Sequence, residues 1–171
     1  LLALSMTAMA SDYVSVDVEK VKDRNTQAES QAQYLRVSKD AYGLNFGLQM
    51  RTAVANAGGM LNSVEGTVGR NFNGITPFLG VGHDNGFNGA KGAAYQYGLV
   101  GASAGTNLGK FYGFAGVKTR VNWDNASPKQ TVAFTGLTYP IAKNASVNLN
   151  YSRSFQDIDE NAFGFGVTIG F

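Results

Sequence analysis

The chain has 171 residues, with 22 glycines, 8 tyrosines and 11 phenylalanines against only 3 prolines and no cysteine. That length suits one domain, and the missing cysteine excludes a disulfide framework and any thiolate metal site. The 14 Lys and Arg against 12 Asp and Glu leave a formal charge of +2 and no basic run, which argues against nucleic-acid binding.

The first ten residues, LLALSMTAMA, are uncharged and close on Ala8-Met9-Ala10. An apolar run ended by small residues in an A-x-A pattern reads as the C-terminal part of a secretory signal peptide. Residues 1–10 are therefore set apart, and 11–171 are read as a single domain. No later window holds the roughly 18 consecutive apolar residues that a membrane-spanning helix needs.

From residue 13 onward apolar and polar residues alternate with a period of two, the strand signature. YVSVDVEK (13–20) sets Val14, Val16 and Val18 against Ser15, Asp17 and Glu19. AQYLRVSK (32–39) sets Leu35 and Val37 against Tyr34, Arg36 and Ser38. YGLNFGLQMRTA (42–53) places Leu44, Phe46, Leu48 and Met50 opposite Asn45, Gly47, Gln49 and Arg51. LNSVEGTVGR (61–70) opposes Val64 and Val68 to Glu65 and Thr67, and ITPFLGVG (75–82) gathers Ile75, Leu79 and Val81 on one side. Runs over 93–105, 110–122, 130–139 and 145–155 continue the pattern, and AFGFGVTIGF (162–171) closes it with Phe163, Phe165, Val167, Ile169 and Phe171 opposite glycine and threonine.

Most of these runs match the 9–11 residues, roughly, of a tilted membrane-spanning strand and exceed the 5–6 residues or so usual in soluble sheets. The connectors alternate in character. Those at 40–41, 71–74, 106–109 and 140–144 are short, whereas 21–31, 54–60, 83–89, 123–129 and 156–161 are longer and more polar. Short turns on one rim and long loops on the other are the mark of an up-and-down antiparallel transmembrane β-barrel, with apolar residues outward and polar residues lining the interior. About ten strands fit, with eight as the alternative count. Aromatics fall near the predicted strand ends, in two bands. Tyr13, Tyr42, Phe72, Phe111, Tyr139 and Phe171 would lie at the short-turn rim, and Tyr34, Tyr95, Tyr97, Trp123, Phe155 and Phe163 at the long-loop rim.

A signal-peptide end, alternating strands and a final strand closing on an aromatic residue together resemble the small bacterial outer-membrane β-barrels of the OmpA/OmpX or opacity type. The resemblance is one of pattern and covers residues 12–171. It implies a Gram-negative cell-envelope protein. It also implies that Phe163, Phe165, Val167, Ile169 and Phe171 form the insertion signal read by the barrel assembly machinery. Outer-membrane lipid and lipopolysaccharide become the expected surroundings, a monomer the expected state, and no cofactor is expected.

In such a barrel the interior would carry Asp17, Glu19, Arg36, Arg51, Glu65, Lys118 and Arg120. Centring the hairpins sets Arg51 opposite Glu65 and brings Asp17 near Arg36. Paired charges in a narrow barrel read as a plug, with a passive small-solute channel as the alternative. Arg153 shares the outward face with Val147, Leu149 and Tyr151 and is a candidate lipid-phosphate contact. His83 beside Asp84 raises a surface hydrolase. Yet His83-Asp84-Asn85 lacks the serine of the His-x-Ser element of lipid A deacylases, and the second acidic pair of omptin proteases is absent. Asp157, Asp159 and Glu160 in the last loop invite a divalent cation but lack EF-hand spacing. Loops 21–31 and 83–92 are the candidate surface-ligand segments, the first read as mobile and exposed. The leading expectation is a non-enzymatic barrel with a structural, surface-interaction or porin-like role. A soluble lipocalin-like binder, with an apolar lumen and a polar exterior, is the alternative from another class.

Overall fold

The computed structural model describes residues 12–55, 60–85, 94–123 and 129–171. The segment 1–10, read as the end of a signal peptide, lies outside them, as do residues 86–92 of the second candidate loop. Ten strands run in order: β1 (Tyr13–Asp23), β2 (Glu29–Ala41), β3 (Leu44–Ala55), β4 (Met60–Gly69), β5 (Ile75–Asp84), β6 (Tyr95–Leu108), β7 (Phe111–Asn122), β8 (Gln130–Ala142), β9 (Ala145–Gln156) and β10 (Glu160–Gly170). Each pairs antiparallel with its neighbours in sequence, and β10 closes onto β1 from Tyr13↔Gly170 to Asp23↔Glu160. The strand count is ten, not eight. Closure leaves no edge with unpaired backbone groups, the condition for any sheet placed in hydrocarbon.

The alternation is carried out in three dimensions. Along β1, Ser15, Asp17, Glu19 and Val21 are buried while Val16 and Val18 stay exposed. On the outer surface Leu79 is 62% and Phe165 64% exposed, whereas Asp17 inside is only 1% exposed. A barrel that turns its aliphatic and aromatic residues outward and buries its charges is the inverse of a lipocalin-like carrier. That alternative does not describe this chain.

The short-turn rim is built from tight hairpins. Between β2 and β3, Tyr42 and Gly43 both have positive φ, 56° and 72°, and between β4 and β5 Asn73 and Gly74 have 53° and 91°. Two successive left-handed residues make the turn whose twist matches that of the strands it joins. On the other rim the strands run further than the sequence suggests. Val21–Asp23 and Glu29–Gln31 belong to β1 and β2, so the first connection shrinks from 21–31 to 24–28. It also carries its own hydrogen bonds. Asp23 Oδ1 accepts the backbone N–H groups of Asn25 and Thr26, both at 2.8 Å, and Arg24 N donates to Asp159 O at 2.9 Å. Polarity alone made this segment look like a loop; its alternating residues pair instead.

Of the aromatics expected at the turn rim, Tyr42, Phe72, Phe111, Tyr139 and Phe171 are exposed, and the Phe111 and Tyr139 rings lie 5.2 Å apart. Tyr13 turns inward and lines the interior. At the loop rim Trp123, Phe155 and Phe163 face out, but Tyr34 and Tyr97 do not. They share strand parity with Arg36 and Leu99, and so point into the barrel. Tyr95 does the same, its ring 5.7 Å from that of Tyr97.

Candidate functional site

Asp17, Glu19, Arg36, Arg51, Glu65, Lys118 and Arg120 all line one interior cavity of about 770 Å³. They form two groups. In the first, β1 and β2 place Asp17 opposite Tyr34 and Arg36 opposite Ser15, so the Arg36–Asp17 ion pair runs diagonally. Arg36 also reaches Glu19 at 3.5 Å, and its Nε donates to Gln49 Oε1 at 3.0 Å. Asn150 Nδ2 donates to the other Asp17 oxygen at 2.8 Å, and the Tyr34 ring lies 4.5 Å below the Arg36 guanidinium. A buried carboxylate is tolerated only when paired and hydrogen-bonded, and Asp17 is both.

In the second group Glu65 is the centre. It pairs with Lys118 across the lumen, lies 3.7 Å from Arg120, and accepts the Tyr97 hydroxyl at 3.0 Å. Gln49 Nε2 donates to it at 3.4 Å, which links the two groups. The expected Arg51–Glu65 pairing is not made. The β3–β4 register sets Arg51 against Ser63 and Gln49 against Glu65, an offset of one inward position from the centred hairpin. Glu65 is taken by cations of β7. Among the described residues Arg51 has no carboxylate within ion-pair distance and lies 5.8 Å from the Tyr34 ring.

Inward residues that sequence reading passed over include Asp84, only 2% exposed and 3.9 Å from Arg120, and Glu160 at the start of β10. Their signal was parity. Asp84 shares a face with Gly80 and Gly82, and Glu160 with Gly164.

The opposite wall uses another device. Inward aromatics on β5–β8 lie over glycines of adjacent strands: Tyr97 over Gly82, Phe78 over Gly101, Phe134 over Gly116, Phe114 over Gly136 and Tyr112 over Gly105. A Cβ at Gly116 would collide with the Phe134 ring and come 2.7 Å from the Ala102 carbonyl oxygen. Glycine there is a requirement of close approach.

The two ends of the lumen differ. Toward the loop rim, inward-facing Val21, Ala32, Ala53, Leu61 and Ala162 form a buried apolar cluster packed against Tyr34. Tyr97, Gln130 and Ser154 complete that level at 0, 8 and 5% exposure. Toward the turn rim the cavity is lined by turn residues themselves, Gly43, Asn71 and Gly74. The same cavity is also lined near the loop end by Val21, Gln130, Ser154, Glu160 and Ala162, so among the described residues the interior is a polar pouch that reaches the turn end and is narrowed by the apolar cluster at the loop end.

Other sequence candidates do not converge. His83 and Asp84 are consecutive strand residues, so His83 is exposed on the outer wall while Asp84 is buried inside. They cannot form a catalytic pair. Asp157 Oδ2 accepts Lys129 N–H at 2.8 Å, Asp159 pairs with Arg24 at 3.5 Å and Arg153 at 3.8 Å, and Glu160 points into the lumen. Those three acids share no common point for a cation. Arg153 lies opposite Asn161 on the outward face and over the Phe155 ring at 4.8 Å. Phe163, Phe165, Val167 and Ile169 line up outward along β10, and Phe171 is exposed beyond it.

No protein-family profile matches the chain, and no curated protein sequence matches it significantly. Solved structures do. A KdgM porin structure, titled as a complex with disordered oligogalacturonate, aligns over 93% of this chain and 99% of its own at 13% identity, with a TM-score of 0.52. Neisserial surface protein A aligns over 94% and 97% at 14% identity, with a TM-score of 0.50. At such identities the likeness is one of architecture, and in architecture this chain is similar to the small outer-membrane β-barrels.

Proposed function

We propose that this chain is an integral protein of the bacterial outer membrane. It is read as a monomeric, non-enzymatic barrel with a structural or surface-interaction role and a lumen that does not conduct steadily. The membrane assignment rests on the inverted polarity of the wall, since an exterior of exposed Val, Leu and Phe is stable in lipid and a liability in water. The observation that carries the non-conducting reading is the buried layer of Val21, Ala32, Ala53, Leu61 and Ala162 at the loop end. In a barrel this narrow inward side chains take up much of the lumen. The outward aromatic pattern of β10 supports delivery by the barrel assembly machinery.

One observation favours a second reading, a passive small-solute channel. The polar cavity of about 770 Å³ reaches the turn rim, and a similar architecture belongs to the KdgM porin, whose structure is a complex with disordered oligogalacturonate.

Fractionation of cells making the mature chain should place it in the outer membrane, with gel mobility that shifts on boiling. Planar-bilayer recording of that folded protein should then show no steady conductance. A soluble protein without the mobility shift would overturn the membrane assignment. Stable open steps would replace the sealed barrel with the channel.

A further inference from the structure

The outer wall is apolar almost throughout, and its exceptions are not scattered. Of the Asp, Glu, Lys and Arg residues on the described strands, only Lys20, Lys22, Glu29, Lys39 and Arg153 occupy outward positions. Lys39 sits at the turn end. The other three cations lie together at the loop end, around the seam where β10 meets β1.

The registers fix their arrangement. Asn161 of β10 is opposite Lys22 on one side and Arg153 on the other, and Phe163 is opposite Lys20. With strands about 4.8 Å apart, Lys22 and Arg153 flank β10 at a separation of about 10 Å. Gln31 and Gln33 extend the polar surface onto β2, opposite Lys20 and Val18. Directly below, toward the middle of the wall, come exposed Val16, Val18, Phe163, Phe165, Leu149 and Tyr151.

The charges there are only loosely compensated. Lys20 makes a solvent-facing pair with Glu29 at 2.9 Å and remains 65% exposed in its side chain. Such pairs contribute little and exchange partners readily. Asp159 is shared between Arg24 and Arg153 at 3.5 and 3.8 Å, beyond good hydrogen-bond distance, and Arg153 Nε is without a partner. Elsewhere on the loop-end wall, outward polar groups satisfy each other without charge. Thr52 donates to Asn62 at 2.9 Å, and Thr119 and Thr131 are hydrogen-bonded at 3.0 Å.

We propose that this seam is a docking site for the phosphorylated sugar headgroup of an outer-leaflet glycolipid of the lipid A type. Lys20, Lys22 and Arg153 take the phosphates, Gln31, Gln33 and Asn161 face the sugar hydroxyls, and the acyl chains lie on Val18, Phe163, Phe165 and Leu149. Two cations on either side of one strand suit a headgroup carrying two phosphates. Charge-assisted bonds to phosphate are the strong ones in such a site, and cations held at an anionic membrane surface add to one another. The proposal rests on the membrane reading above.

The test uses the full-length mature barrel, folded in neutral detergent without divalent cations, with the boiling shift confirming the folded state. Binding of bis-phosphorylated lipid A and of the same lipid stripped of both phosphates is compared by native mass spectrometry. The phosphorylated form should bind at least about tenfold more tightly, and the K20Q/K22Q/R153Q variant should lose that preference. Lys39→Gln, at the other rim, should keep it. Should the triple variant fail to fold, Lys22→Glu is read by the same criterion. Equal binding of the two lipids by the unaltered protein, or a preference retained in the variants, overturns the site. A protein lacking the boiling shift fails the membrane reading instead, so the two failures are told apart.

Discussion

The wall made by β1–β4 and the wall made by β5–β8 face each other across one lumen and fill it with different chemistry. The first projects Asp17, Glu19, Arg36, Gln49 and Glu65 and links them by ion pairs and amide bridges, with Glu19 Oε2 left without a hydrogen-bond partner. The second projects Phe78, Tyr97, Phe114 and Phe134 and removes the side chain beneath each ring. The charged wall needs every partner present, because a buried charge left alone is costly. The aromatic wall needs every glycine absent of a Cβ, because a packed interior does not yield to added volume. Glu65 and Tyr97 stand where the two meet: a carboxylate of β4 holds a hydroxyl and a cation that reach over from β6 and β7. The difference teaches that one narrow barrel can be closed by two devices with different failure modes.

Several substitutions would break or sharpen this contrast. The largest effect is expected for Glu65→Ala, which strands Lys118 and leaves Arg120 with Asp84 as its one carboxylate among the described residues. It should lower unfolding free energy in urea by about 3–5 kcal/mol. A loss no larger than that of a surface pair would mean the charged wall is merely solvated. Next comes Gly116→Val, whose Cβ meets both a ring and a backbone carbonyl. A cost of about 3 kcal/mol is expected, partly recovered when Phe134→Ala is added, because the ring contact then disappears while the Ala102 carbonyl remains. No recovery would show that the ring is not what the glycine makes room for. Tyr97→Phe deletes a hydroxyl bonded to a carboxylate without disturbing the ring over Gly82 and should cost about 2 kcal/mol. A double-mutant cycle with Glu65→Gln should recover most of that value as coupling. The smallest effect belongs to Lys20→Gln on the outer wall, about 0.5 kcal/mol or less, since its pair with Glu29 is exposed.

Much of this architecture was legible in the residues. Period-two runs and alternating connector lengths point to ten up-and-down strands, because a half-exposed strand in lipid must alternate as strictly as one in water. The interior charges followed from the same parity. Four features did not follow. Tyr34, Tyr95 and Tyr97 were assigned to a rim by their position along the strand, although their parity with Arg36 and Leu99 already pointed them inward. Arg51 was paired with Glu65 by centring a hairpin, and register is set by both strands' full hydrogen-bonding pattern rather than by the turn midpoint. Glycine–aromatic stacking depends on which residues face each other across strands, and glycine composition alone carries no partner. Segment 21–31 reads as a loop because Lys22, Glu29 and Gln31 are polar on the outward face, where lipid was expected. That local violation of the pattern is also what exposes the cationic seam.

The central claim is that the apolar layer at the loop end excludes water while the cavity is accessible from the turn end. The chain has no cysteine, so single cysteines report on one place at a time. Ala53→Cys would lie in the buried layer, at a position 0% exposed, and Thr138→Cys on the accessible cavity wall. The folded barrel, verified by its boiling shift, is treated with a water-soluble maleimide before and after unfolding. Rapid labelling of Thr138→Cys with protection of Ala53→Cys until the protein is unfolded is the predicted result. Comparable labelling of both in the folded state would mean that the lumen is open from end to end.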